Sequence, residues 1–203
     1  MNEAQSSETL MLFPTVLHVT HHMQAAEMNA KIKAAISTVY QEVDGQPPRE
    51  MACTMYSTMA TEPSLHLRAE FAALTDFVQE EAQSFADALD YAVSTGGTSV
   101  RKCWLNILRR GDSCDLFNDA NSIISGVYFV NSTAGGARMQ LHAPIADEMI
   151  VIQKSKITDL NAPQIFFDGE AGDLLLFPSH LIRSWTLHNA VDDLVMLNFT
   201  ICL

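Results

Sequence analysis

The chain has 203 residues, of which 48% are hydrophobic and 18% are charged. This length and composition suit one folded domain, residues 1–203, and exclude a disordered chain. The 12 basic and 24 acidic residues give a net charge of −12, which argues against nucleic acid or an anionic membrane as a partner. No apolar run reaches the ~18 residues of a membrane span, and residues 1–9 lack the features of a secretory signal. The sequence predicts a cytoplasmic protein.

The N-terminal half carries signals for one strand and two helices. Residues 12–19 read as a short opening strand, and the proline near its start suits the edge of a sheet. Between residues 23 and 43 apolar side chains recur three and four positions apart, which predicts an amphipathic helix. A longer apolar stripe covers residues 67–89, with Ser64 as the expected N-cap of a second helix. We expect residues 12–95 to form this strand and a helical layer.

The chain after residue 98 has the pattern of β-structure. Short runs of aliphatic and aromatic residues alternate with turn residues, which is typical of barrels and jelly rolls. The basic pairs Arg101-Lys102 and Arg109-Arg110 are expected to protect an exposed strand edge. We therefore expect a mainly β fold whose core, about residues 100–203, is backed by two amphipathic helices. The predicted strands cover residues 103–108, 123–130, 137–142, 149–153, 164–167, 173–177, 181–187 and 194–202.

The four cysteines lack the spacing of a metal or redox site. None forms a Cys-x-x-Cys pair, and zinc sites are recognised by such spacing. The pattern predicts free thiols in a reducing compartment instead of disulfides. The four are Cys53, Cys103, Cys114 and Cys202.

Five segments resemble, in the same order along the chain, segments of an iron(II)/2-oxoglutarate oxygenase family found in uncharacterised bacterial and phage proteins. The segments are LFPT at 12–15, WLNI at 104–107 with Gly111-Asp112, NSIISGVY at 121–128, GDLLLFPS at 172–179 and LNFTI at 197–201. The resemblance implies a double-stranded β-helix, a cupin-like jelly roll. It also implies iron(II) and 2-oxoglutarate as the cofactors of an active member.

The chemistry of that family needs three ligands on one face of iron(II), either two histidines and a carboxylate or three histidines. The first two are two residues apart on a strand, and the third is a histidine just beyond the Phe-Pro-Ser segment. An arginine on the last strand pairs with the far carboxylate of 2-oxoglutarate. At the three ligand positions this sequence carries Phe117, Asp119 and Arg183, and it has no arginine after Arg183. The resemblance thus implies that one ligand remains and that the co-substrate anchor is missing.

Phenylalanine and arginine cannot replace the missing ligands. A phenyl ring offers no ligating atom, and a guanidinium stays protonated with no lone pair to donate. The resemblance implies that the second and third ligand positions face each other, where a carboxylate and a guanidinium should pair. We predict an Asp119–Arg183 ion pair at the vacated iron position, with Phe117 packed beside it. The alternative is that both charged side chains point to solvent and never meet.

Histidines elsewhere are the other candidate ligands. His142 lies on the alternating strand that ends at residue 142, so a metal, if one binds, would be held by Asp119 and His142. A lone histidine carries no spacing signal, and His180 and His188 are expected to be surface or loop residues without a metal role. His18 and His22 have i, i+4 spacing, but His18, His21 and His22 lie where a strand ends and a helix begins, so no metal role is expected there.

Three functions remain open from the sequence. The preferred one is an oxygenase-like scaffold without iron chemistry, which needs no cofactor and binds an unknown small molecule or a protein partner. The second is an active iron/2-oxoglutarate hydroxylase with rearranged ligands. The third is a structural protein whose strand edges or helices form a homo-oligomer. Fold alone does not separate these functions.

Overall fold

The computed structural model describes residue 8 and residues 14–144, 153–158 and 160–203. The predicted order of strand, two helices and then strands is confirmed, apart from two strands that the sequence analysis did not predict, Tyr56–Ser57 between the helices and Cys114–Phe117. Residues 12–13 and 149–152 of the predicted strands lie outside the described residues. The elements are β1 (His18–His21), α1 (Ala25–Glu42), β2 (Tyr56–Ser57), α2 (Ala72–Ala88), β3 (Ser99–Leu108), β4 (Cys114–Phe117), β5 (Ile124–Phe129), β6 (Met139–His142), β7 (Gln164–Phe167), β8 (Asp173–Pro178), β9 (Arg183–Trp185) and β10 (Leu194–Cys202).

The strands form two antiparallel sheets. The larger has the order β1-β8-β5-β10-β3-β2, and the smaller has the order β4-β9-β6-β7. The longest pairing joins β10 to β3, with one irregularity between Thr200 and Ile201. Strands that are distant in sequence are therefore neighbours in space, which brings the end of the chain into the centre of the larger sheet.

Alternation of side chains along the larger sheet produces two separate cores. On one face, Leu174 and Leu176 of β8 pack with helix residues such as Phe85, and we call this cluster the helix-facing core. On the other face, Leu175 and Phe177 pack with residues of the smaller sheet. We call this second cluster, which also includes Trp185, Met139 and Met196, the inter-sheet core. The space between the sheets is the interior of the β-structure.

The second helix begins later than the sequence predicts, and Ser64 does not cap it. Residues 65–71 form two short 3₁₀ turns, Leu67 is 77% exposed, and the side chain of Ser64 makes no capping hydrogen bond. The physical reason is a backbone contact: Cys103 N–H donates to Pro63 O at 2.8 Å, and Ser64 forms an isolated bridge with Cys103. This contact holds the segment against β3. No helix in the described part of the chain is long and apolar enough to cross a membrane.

The expectation that β3 is an exposed edge is wrong. β3 pairs with β10 on one side and with β2 on the other. Thr58 continues this cover, since its N–H donates to Leu105 O at 3.0 Å and its hydroxyl accepts from Leu105 N–H at 3.1 Å. The basic pairs Arg101-Lys102, within β3, and Arg109-Arg110, just after it, therefore do not protect a free edge.

The prediction of four free thiols is also wrong, because Cys53 and Cys114 form a disulfide. The two residues are opposite each other in an antiparallel bridge, although their positions in the sequence differ by 61. Cys103 and Cys202 are free. Cys103 is fully buried, and loss of hydration raises its thiol pKa. Strand pairing, which cysteine spacing does not report, decides which thiols meet.

Candidate functional site

The candidate site lies where the smaller sheet turns Phe117 and Arg183 toward the interior. These residues are direct cross-strand partners, Phe117 at the end of β4 and Arg183 at the start of β9. Their ring and guanidinium stack, with Arg183 Cζ 4.1 Å from the centre of the Phe117 ring. The Phe177 ring of β8 lies on the larger sheet, 5.4 Å from the same carbon. The guanidinium is thus in contact with aromatic rings from both sheets, an arrangement that favours a cation.

Asp119 completes the site as the ion-pair partner of Arg183. Nη2 of Arg183 lies 2.8 Å from Oδ2 of Asp119, and the two side chains are 0% and 2% exposed. The predicted ion pair, with Phe117 beside it, is therefore confirmed, and the alternative of two solvated side chains is wrong. Burial lowers the pKa of Arg183, and the charge of Asp119 acts in the opposite direction. A guanidinium remains protonated in proteins, so the site holds two opposite charges that water does not solvate.

Two serines that the sequence reasoning did not single out position the carboxylate. Ser125 Oγ lies 2.5 Å from Asp119 Oδ2 and 2.8 Å from Ser179 Oγ. Because a hydroxyl has one proton, Ser125 donates to the carboxylate and accepts from Ser179. The backbone N–H of Asp119 donates to Ser179 O at 3.3 Å. Both serines lie in segments that carry the family resemblance, at residues 121–128 and 172–179, but the resemblance gave no signal that either one contacts Asp119.

Several polar atoms at the site have no hydrogen-bond partner among the described residues. They are Oδ1 of Asp119 and the nitrogens Nε and Nη1 of Arg183. Nη2 meets Oδ2 at contact distance, but as an ion pair that does not have the alignment of a hydrogen bond. The pair therefore keeps donors and an acceptor free for a further molecule.

The structure does not bring His142 to Asp119. Leu141 is the cross-strand partner of Arg183 and shares its inward face, so the next residue, His142, is on the outer face of β6. There His142 Nε2 lies 2.9 Å from Ser184 Oγ, which also lies 2.9 Å from Gln140 Oε1. Burial lowers the pKa of His142. The side chain thus belongs to a polar network outside the candidate site.

His188 is a loop residue as predicted, but it is not at the surface. It is fully buried, where Nδ1 accepts from Ala137 N–H at 3.0 Å. Nε2 lies 2.9 Å from Asp192 O and donates to it, since Nδ1 is the acceptor of the ring. Both nitrogens are therefore used to hold loops together. His180 is exposed, as predicted.

The N-terminal histidines go to separate partners. His18 Nε2 lies 2.8 Å from Glu81 Oε2, and His21 Nδ1 lies 2.8 Å from Asp173 Oδ1. The His22 ring packs edge-on against Phe77, with the ring centres 4.7 Å apart. The structure does not gather these three side chains at one point.

The residues at the candidate site do not fit an iron(II) centre. Asp119 is the one potential ligand at the positions that the resemblance indicates, and its near neighbour is a guanidinium. Within residues 14–144, 153–158 and 160–203, no group of three His, Cys, Asp or Glu side chains is placed to hold a metal ion. The last strand also has no arginine to pair with 2-oxoglutarate. The donor set is that of an ion pair.

Comparison with known proteins supports the family resemblance over part of the chain and shows the fold. A sequence model of the family described as "Putative 2OG-Fe(II) oxygenase" matches residues 102–193, a little under half of the chain. This match confirms the family resemblance seen in the sequence. No curated protein matches the chain.

Solved structures of such enzymes share the fold across both halves of the chain. A prolyl-4-hydroxylase from Pseudomonas putida is 11% identical, covers 92% of each chain and has a TM-score of 0.60. SnoN, an α-ketoglutarate-dependent epimerase from nogalamycin biosynthesis, is 10% identical over 92% of this chain and 76% of its own, with a TM-score of 0.67. HygX from Streptomyces hygroscopicus, solved with nickel and 2-oxoglutarate, is 10% identical over 92% and 82%, with a TM-score of 0.63. The chain therefore has the mainly β, helix-backed fold of these proteins.

Proposed function

We propose that this chain, whose residues 102–193 match the 2OG-Fe(II) oxygenase family, is a non-catalytic relative of those enzymes that binds a small molecule or a protein partner. We assign its two sheets to the double-stranded β-helix, or jelly roll, of the family. The net charge of −12 favours a partner other than nucleic acid or an anionic membrane.

The observation that carries the proposal is the buried Asp119–Arg183 ion pair. A divalent cation beside Asp119 would be repelled by the nearby guanidinium charge, because water screens charges only weakly in a buried site. Oδ2 of the carboxylate already contacts the guanidinium and Ser125. Binding iron through Oδ2 would require breaking a desolvated pair and leaving a buried cation without a partner, which is strongly unfavourable.

The direct experiment is an anaerobic titration of iron(II) into the purified 203-residue chain, followed by an assay of 2-oxoglutarate conversion to succinate. We expect no stoichiometric iron binding and no succinate above the protein-free rate. Stoichiometric iron together with succinate formation that disappears in Asp119→Ala would overturn the proposal. That result would favour the alternative of an active hydroxylase with rearranged ligands that include Asp119.

A restoring variant tests whether the ion pair stands at the former metal position. Phe117→His combined with Arg183→His recreates a His-x-Asp pair and a distal histidine. We expect this double variant to bind cobalt(II), used as a coloured probe, at one equivalent. The same variant with Asp119→Ala added is the matched control and should lose that binding. If the double variant unfolds cooperatively like the wild type and still binds no cobalt, the assigned metal position is wrong.

A further inference from the structure

Unpartnered buried polar atoms are concentrated on the inward faces of the two sheets. Among the described residues, all but two of the buried side-chain N and O atoms without a partner lie there. Native proteins leave few such atoms unsatisfied, and a cluster of them indicates water or a ligand. The atoms are Asn106 Oδ1, Asp119 Oδ1, Arg183 Nε, Nη1 and Nη2, Trp185 Nε1, and Asn198 Oδ1 and Nδ2.

Strand register places these side chains around one inward position, Val127 of β5. Asn198 of β10 is the direct cross-strand partner of Val127. Asn106 of β3 pairs with Met196, so it lies diagonally next to Asn198 on the same face. Both asparagines alternate with residues of the helix-facing core, and they therefore point between the sheets.

The two polar residues of β9 reach the same region from the smaller sheet. Arg183 connects through Asp119 to Ser125, the inward residue before Val127 on β5. Trp185 packs edge-on against Phe129, the inward residue after Val127, with ring centres 6.1 Å apart. Arg183 and Trp185 thus lie on either side of the position that Val127 and Asn198 occupy on the opposite sheet.

We propose that this interior binds a small zwitterion of the α-amino acid class. Asp119 and Arg183 cancel each other's charge, so a ligand with no net charge enters without leaving an uncompensated charge buried. The free donors of Arg183 and Trp185, with Asn198 Nδ2 beside them, match a ligand carboxylate, because a guanidinium binds a carboxylate through paired N–H donors. The free carbonyl oxygens of Asn106 and Asn198, with Asp119 Oδ1, match an ammonium group, which only donates.

This inference rests on the proposed function, because it places an organic ligand in an interior that holds no iron. It goes beyond that function by naming the ligand's chemical class. The test is isothermal titration calorimetry of the wild-type chain, with chelator present, against the twenty standard L-α-amino acids. For any that bind, the N-acetyl derivative and the carboxamide serve as probes that each lack one charge. We expect at least one amino acid to bind and each derivative to bind about tenfold more weakly or worse.

Variants locate the binding. Asn198→Leu replaces a buried amide with an apolar side chain of similar size. This variant should abolish the calorimetric signal of amino-acid binding while the chain remains folded. Ser184→Ala is the matched control, since Ser184 lies next to Arg183 on β9 but on the outer face with His142. It should bind as the wild type does. Unchanged binding in Asn198→Leu would overturn the assigned location.

The remaining outcomes each decide the inference. Failure of all twenty amino acids to bind, with ordered water filling the interior in a crystal structure, would overturn it. Binding of 2-oxoglutarate or succinate in place of amino acids would also overturn it. Neither result would bear on whether the chain binds iron, so failure here is distinguishable from failure of the proposed function.

Discussion

The two faces of the larger sheet bury polar groups in opposite ways. On the helix-facing side, the hydroxyl of Tyr128 donates to Asn29 Oδ1 at 2.7 Å, so this buried polar pair is satisfied. Loss of hydration raises the pKa of Tyr128 to about 12, which keeps the hydroxyl protonated for that bond. On the inward side, Asn106 and Asn198 are buried with unpartnered amide atoms.

This difference separates stability from function within one sheet. Apolar side chains and satisfied hydrogen bonds on the helix-facing side stabilise the fold. Unsatisfied polar atoms on the inward side cost free energy, and proteins carry such costs chiefly at functional sites. The same β-strands therefore carry a structural face and the face that we propose binds a ligand, one residue apart in sequence.

The largest expected effect is on the helix-facing side. Phe85 is 1% exposed in the helix-facing core, and Phe85→Ala should lower the free energy of unfolding by about 4 kcal/mol through lost burial and a cavity. Urea unfolding measures the change. Leu67→Ala is the control, because that side chain is 77% exposed, and it should shift stability by less than about 0.5 kcal/mol. Equal effects of the two variants would contradict the assignment of the core.

An effect of similar size is expected from the disulfide that ties the N-terminal half to β4. Replacing Cys53 and Cys114 with serine releases a 61-residue loop in the unfolded chain and should cost about 4 kcal/mol. Thermal unfolding with and without reductant measures it, since reduced wild type should approach the variant. Cys202→Ser, at a free cysteine, should unfold as the wild type does in either condition. A wild type that does not respond to reductant would contradict the disulfide.

On the inward side, breaking the ion pair should cost about 3 kcal/mol. Arg183→Met leaves Asp119 buried without its cation, which is the costly part of the change. Adding Asp119→Leu removes the orphaned carboxylate, so the double variant should recover most of the lost stability in urea unfolding. If the double variant is no more stable than Arg183→Met, the two charges are not coupled and the pair is not a unit.

The smallest effect concerns pH and the outer face of β6. Burial lowers the pKa of His142, so protonation favours the unfolded chain. Stability should therefore fall as the pH drops below about 6.5, the ordinary histidine value, and level off below the folded-state pKa. Burial also lowers the pKa of His66, which lies in the 3₁₀ turn before α2. His142→Gln should therefore reduce the slope of stability against pH without removing it. Unfolding midpoints measured from pH 7.5 to 5 test this, and an unchanged slope in the variant would contradict it.

Much of the candidate site was predictable because the family resemblance could be carried over position by position. It indicated Phe117, Asp119 and Arg183, and the structure brings them into contact. The support for Asp119 was not predictable, since Ser125 and Ser179 are 54 residues apart in sequence and meet only through pairing of β5 with β8. The burial of His188 was hidden for the same reason: its partners come from two loops.

By itself the sequence determined the order of the helices and of most strands, and the apolar stripes that α1 and α2 bury. These are local properties, set by periodicity. Through the family resemblance it also indicated Phe117, Asp119 and Arg183 as the site positions. Only the tertiary structure decided that Cys53 meets Cys114, that β3 is covered, and that polar side chains from both sheets surround Val127. Each of these depends on which distant strands become neighbours. That pairing is stabilised by contacts throughout the core, and no local stretch of sequence specifies it.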